Sequence, residues 1–195
     1  PTVAALKAER RPFHGVIYFG LMLTPDGPKV VEYNARFGDP ECQAVLSLLD
    51  TDRLYIFKAC RNGTLDRLNI RWKDGAACCL VLASAGYPGS YAKGLPITGL
   101  EDAGQQAVVF HAGTKLGDDG TVFTNGGRVL GVTATGPDLN AAIDSAYAAA
   151  GHIDFQGLHF RTDLGRVCSP CGPRGATAGC QIGCSGWLRL SGPFC

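Results

Sequence analysis

The chain has 195 residues, enough for one medium domain or two small ones with a sizeable core. Its 18 Lys plus Arg stand against 17 Asp plus Glu, a formal net charge of +1, which excludes the broad basic field that draws proteins to nucleic acid or anionic membrane. No stretch approaches the roughly 20 apolar residues of a spanning helix, and Pro1 to Arg11 is too interrupted by charge to be a secretory leader, so a cytoplasmic protein is expected.

In chain order, Gly15–Leu23 is rich in β-formers, Pro25-Asp26-Gly27-Pro28 is turn chemistry, and Val30–Tyr33 is apolar again, which predicts a β-hairpin. Asp39-Pro40-Glu41 then offers an N-cap, a proline at the first helical position and an acidic first turn for a helix through Leu49. A second helix is expected from Thr51 or Asp52 to Asn62-Gly63, where glycine supplies the left-handed end. From Ala76 the pattern becomes short apolar runs, Ala77–Ala83, Ala107–His111, Val122–Thr124 and Val129–Thr135, separated by glycine, aspartate and asparagine, as in a small sheet. Asp118-Asp119-Gly120 reads as a hairpin turn, and Pro137-Asp138 caps an alanine-rich helix to about Ala150 before a last strand near Leu158–Arg161.

The run Glu32-Tyr33-Asn34-Ala35-Arg36 carries the most chemical information. Alternate residues of a strand share a face, so Glu32 and Asn34 present oxygens side by side, and Arg36 joins them if the strand continues. Mg²⁺ prefers oxygen ligands, keeps several waters and takes one or two protein groups beside substrate phosphates. A planar guanidinium two residues on suits a nearby anion. The plain alternative is a solvated sheet edge. A second polar concentration, His111-Ala112-Gly113-Thr114-Lys115 and Thr124-Asn125-Gly126-Gly127-Arg128, combines cations with glycines that let backbone approach a ligand, or forms an ordinary hairpin. His111 reads as a strand-end residue, since no nucleophile accompanies it.

The segment from Val30 to Glu41, preceded by Gly15–Leu23, resembles the closing part of the ATP-grasp domain in the phosphoribosylamine-glycine ligase family, and Phe37-Gly38-Asp39-Pro40-Glu41 narrows the likeness to it. The resemblance spans residues 1–166. It implies an α+β chain: the carboxyl-terminal part of an ATP-grasp domain over 1–74, then a small sheet-and-helix domain over 75–166. It also implies ATP-dependent joining of glycine to 5-phosphoribosylamine, giving glycinamide ribonucleotide, ADP and phosphate. Glu32 and Asn34 would hold the Mg²⁺ or Mn²⁺ of metal-bound ATP, Arg36 would face the reacting phosphate and acyl group, and Lys115 and Arg128 would lie on the substrate side. The family's amino-terminal domain and nucleotide lid precede the matching region, so the chain alone is expected to be inactive unless an amino-terminal half is supplied. The rival is a non-catalytic binding or interaction fragment. A biotin-dependent carboxylase type of ATP-grasp enzyme shares Glu-x-Asn-x-Arg but does not account for Phe37–Glu41 or the second polar cluster.

Residues 167–195 depart from this pattern, with five Cys, six Gly and no Asp, Glu or Lys. Cys168-x2-Cys171 and Cys180-x3-Cys184 admit a zinc module, but the scattered glycines and absent periodicity favour a disordered low-complexity tail.

Overall fold

A computed structural model describes residues 2–165, and the expected tail lies outside them. The described residues divide into two units, one of residues 2–38 with Leu49–Lys73, the other of Asp39–Leu48 with residues 74–165.

The first unit opens with helix α1 (Thr2–Ala8) and continues into strands β1 (Tyr18–Thr24) and β2 (Gly27–Asn34). They pair antiparallel from Tyr18↔Asn34 to Thr24↔Gly27, with an irregularity after Gly20. Gly27, at φ +101°, allows the reversal. Helix α3 (Arg53–Asn62) starts where the Asp52 carboxylate accepts from Leu54 N at 2.7 Å and stops at left-handed Gly63. The ribbon leaves Leu21, Met22, Val30, Val31 and Tyr33 exposed.

The second unit contains the buried core. Strands β3 (Ala76–Ser84), β4 (Val108–His111), β7 (Arg128–Gly136) and β8 (Leu158–His159) form an antiparallel sheet ordered β4-β7-β3-β8. In its centre Leu80 stands opposite Val132 and Leu82 opposite Leu130, all four at most 1 % exposed. Each such side chain contributes roughly 1.5–3 kcal/mol by leaving water. Helix α5 (Leu139–Ala150) packs on β3 and β7 through Ala142, Ile143, Ala146 and Ala149. Small residues bring its axis close to the sheet: a Cβ on Gly136 would lie 2.7 Å from Ala142 N. The Asp138 carboxylate caps it, accepting from Ala141 N at 2.9 Å, as its position before an apolar run predicts. A short helix α4 (Leu100–Gly104) and a hairpin of β5 (Thr114–Leu116) and β6 (Val122–Thr124) complete the unit.

Helix α2 (Glu41–Ser47) also belongs here, with Ala44 buried and β3 and β7 as its neighbours. Its start differs from the expectation. Pro40 occupies the N-cap position, and no side chain caps the helix. Asp39 turns its carboxylate to other donors, one of them Gln43 Nε2 at 2.8 Å. Among the described residues no helix is long and apolar enough to cross a membrane.

Candidate functional site

In the first unit, β2 carries Glu32 and Asn34 on one face, opposite Gly20 and Tyr18 of β1. The Asn34 amide donates to Glu32 Oε1 at 3.0 Å, which holds the two side chains together at the exposed end of the strand. Gly20 is part of this arrangement: a Cβ there would stand 2.9 Å from Glu32 Cγ. A lone glycine inside a run of β-formers is the signal for it in the sequence. Two hard oxygen donors beside open space fit a magnesium-type cation that keeps most of its own waters. The described residues hold no cluster of three or more His, Cys, Asp or Glu, so a metal here would have a small protein ligand set.

Arg36 lies beyond the strand, which ends at Asn34. Its Nη1 donates to the carbonyl of Phe37 at 2.8 Å, so the guanidinium folds back on its own chain. Phe37 meets Phe57 of α3 with ring centroids 6.2 Å apart, fixing the turn that follows.

In the second unit the two glycine-rich segments meet each other. A Cβ on Gly113 would come 2.5 Å from Gly126 Cα, and Asn125 N donates to Gly113 O at 2.7 Å. The ring of Tyr87 covers Gly127 so closely that no Cβ fits beneath it. These glycines allow close contact between chain segments. His111 ends β4 with Nδ1 3.0 Å from Thr114 Oγ1.

Arg128 engages Asp39, with Nη1 donating to its carbonyl at 2.8 Å and Nη2 3.5 Å from its carboxylate. One of its five donors is thus bonded to the residue that leads into α2, and the charge is paired with that residue's carboxylate. Lys115 is placed differently. It stands on β5 opposite Phe123 and lines a groove of about 380 Å³ with Lys93, Thr124 and Asn125. Beneath α2, burial pushes the Cys79 thiol up to about 11, an effect partly offset by the Thr133 hydroxyl and reinforced by Asp39. Burial also raises the Cys42 thiol, with help from Asp39 and Glu41.

Residues 1–42 match a family described as phosphoribosylglycinamide synthetase, ATP-grasp (A) domain, which puts the β1–β2 ribbon in the ATP-grasp class. Residues 77–167 match the C domain of the same synthetase. The chain is 49 % identical over 164 residues to a phosphoribosylamine–glycine ligase of Caldanaerobacter subterraneus, covering 84 % of this chain and 39 % of that protein. It is 52 % identical over 168 residues to the ligase of a Synechocystis species, covering 85 % of this chain and 40 % of that protein. With the trifunctional purine biosynthetic protein adenosine-3 of Gallus gallus it shares 50 % identity over 166 residues, 84 % of this chain and 16 % of that protein. The crystal structure of the Thermotoga maritima phosphoribosylamine–glycine ligase superposes with a TM-score of 0.72 at 33 % identity, over 82 % of this chain and 39 % of that one. The chain belongs to the phosphoribosylglycinamide synthetase family. It spans about two fifths of the length of the bacterial relatives named.

Proposed function

We propose that the chain serves the ATP-dependent ligation of glycine to 5-phosphoribosylamine, giving glycinamide ribonucleotide, ADP and phosphate. The observation that carries this reading is the Glu32–Asn34 oxygen pair, closed by a 3.0 Å hydrogen bond within the stretch matched to the ATP-grasp domain. Such a ligation activates a carboxylate by phosphorylation, and the amine then displaces the phosphate. No covalent bond to the protein is needed, so the side chains act by charge and position.

In this reading Glu32 and Asn34 hold Mg²⁺ or Mn²⁺, which when bound neutralises charge on the nucleotide phosphates. Arg36, released from the Phe37 carbonyl, turns its planar donors to the reacting phosphate and acyl oxygens. Lys115 and Arg128 serve the phosphoribosylamine side. The division of labour follows the expected boundary near residue 74, with the ATP-grasp part before it and the substrate-side domain after it. A cytoplasmic location belongs to the same reading.

The test is ADP release dependent on both glycine and phosphoribosylamine. It is measured for the purified chain alone and after mixing with a separately expressed amino-terminal half of a homologous ligase. Activity that appears on mixing and disappears in Glu32→Ala supports the reading. A folded chain that stays inactive with the supplied half overturns it and leaves the non-catalytic fragment.

A further inference from the structure

Arg128 and Asp39 lie 89 positions apart in the sequence, and both are anchored to the core of the second unit. Arg128 opens β7: it pairs with Ala83 of β3, and its carbonyl accepts from Gly113 N at 2.9 Å. Asp39 leads into α2, whose Ala44 is 5 % exposed and whose neighbours are β3 and β7. The backbone is thus fixed on both sides of the contact.

The guanidinium is held at two points. Nη1 donates to the Asp39 carbonyl at 2.8 Å, and Nη2 lies 3.5 Å from Asp39 Oδ2. A single hydrogen bond lets a planar group swivel about that bond, whereas a second contact at the other nitrogen fixes its plane. The second point is itself held. Asp39 Oδ1 accepts from Gln43 Nε2 at 2.8 Å, and Gln43 Oε1 accepts from the Cys42 thiol at 3.2 Å. Stability does not call for this arrangement, since a half-exposed ion pair contributes little to it and Ala44 already seats α2. What the succession Gln43, Asp39, Arg128 secures is the direction of a side chain that would otherwise sample many rotamers. Among the described residues no other acceptor bonds the guanidinium, and 42 % of the Arg128 side chain is exposed, so the donors that Asp39 leaves unused are open to a ligand. The Asp39 carboxylate offsets part of the charge, which makes direction the larger part of what Arg128 offers.

We propose that Asp39 and Gln43 are positioning residues: Gln43 holds the Asp39 carboxylate, and Asp39 sets the plane of the Arg128 guanidinium before substrate arrives. Both act through Arg128, and the inference rests on the substrate-side reading of that residue. An arginine already ordered loses less rotamer freedom on binding, so the gain falls on affinity for the substrate that Arg128 meets and not on the chemical step.

The experiment has two arms, both with the full chain. The first follows isotope-labelled arginine side chains by NMR relaxation, the Arg128 Nε–H signal being assigned by its loss in Arg128→Lys. Expected is a rigid Nε–H in the unaltered chain and a mobile one in Asp39→Ala and in Gln43→Ala, with unfolding midpoints little changed. The second arm measures ligation reconstituted with the amino-terminal half of a homologous ligase. Each alanine variant should raise KM for phosphoribosylamine about threefold or more, while kcat and the KM for ATP stay within about twofold. In an Arg128→Ala background neither substitution should add to the rise, because the group they position is gone. Arg128→Lys keeps the charge without the planar fork and should not restore KM. An Nε–H that stays rigid in both alanine variants, additive effects in the Arg128→Ala background, or recovery in Arg128→Lys overturns the proposal. Should ligation fail on reconstitution while both variants free the Nε–H, the hold on Arg128 stands and the ligase reading falls. Ligation with an unchanged KM in both alanine variants removes the positioning role alone.

Discussion

The ring of Tyr87 rests on the backbone of Gly127, filling the space that any side chain at that position would occupy. Gly127 is fully enclosed, and it leads directly into Arg128 and the central strand β7. Replacing it with alanine must push the ring away or bend the start of β7. Gly127→Ala is expected to cost about 1–3 kcal/mol in urea unfolding. In the Tyr87→Ala background the same change should cost distinctly less, because the obstructing ring is gone, and the double-mutant cycle measures that difference.

Cys79 supplies a pH dependence. Its thiol is raised from an ordinary 9.0 to about 11, chiefly by burial. Between those values the unfolded chain has given up a proton that the native chain keeps, so the unfolded state binds fewer protons and stability falls as pH rises. The loss should begin near pH 9 and amount to roughly 2–3 kcal/mol by pH 11, read from denaturation midpoints and absent in Cys79→Ala. In the native chain at pH 8, Cys79 should remain unalkylated by iodoacetamide long after half-buried Cys60 has reacted, which mass spectrometry resolves.

Thr133 stands opposite Cys79 in the β3–β7 ladder, and its buried Oγ1 meets no hydrogen-bond partner of good geometry among the described residues, only the Cys79 thiol, whose pKa it helps to lower. The facing thiol is a weak partner at best. Valine keeps the shape and removes the unsatisfied hydroxyl. Thr133→Val should be neutral or stabilising by about 1 kcal/mol, seen as an unchanged or higher Tm.

Asp138 caps α5 through Ala141 N. Asp138→Ala should destabilise the second unit by about 1 kcal/mol, whereas Asp138→Ser should recover most of it. By contrast, Asp39 caps nothing, and its ion pair with Arg128 is half exposed on both sides. For Asp39→Asn a change of about 0–1 kcal/mol is expected, shrinking as salt is added.

Most of the regular structure was legible because local chemistry and tertiary packing agree. Val122–Thr124 forms the strand read from it, α3 begins after Asp52 and ends at Gly63, and α5 begins after Asp138. Helices α4 and α1 and strand β5 were not legible. Helix α4 has five residues and α1 seven, too few for apolar periodicity to register, and β5 is three residues of a glycine-flanked run. Asp39 had every local mark of a cap, yet a tertiary partner 89 positions away and a neighbour on the next turn claim it. The Glu32–Asn34 pair was visible because a period of two on a strand is enough to align them. Lys93 was invisible, since its place beside Lys115 depends on hydrogen bonds across 29 residues to Thr124.

The chain passes between its two units after Gly38, after Leu48 and after Lys73. The ten residues of Asp39–Leu48 are therefore on loan from one stretch of sequence to the other unit. A protease cutting only at residue 73 would leave two pieces that still travel together, since Ala44 of the first remains seated in the core region of the second. Residues 74–165 transplanted by themselves into another protein would arrive without that helix, with β3 and β7 uncovered where it lay. Neither unit is one run of sequence: a block cut at Asp39 takes Leu49–Lys73 away from the first unit, and a block cut at Asp74 leaves α2 behind.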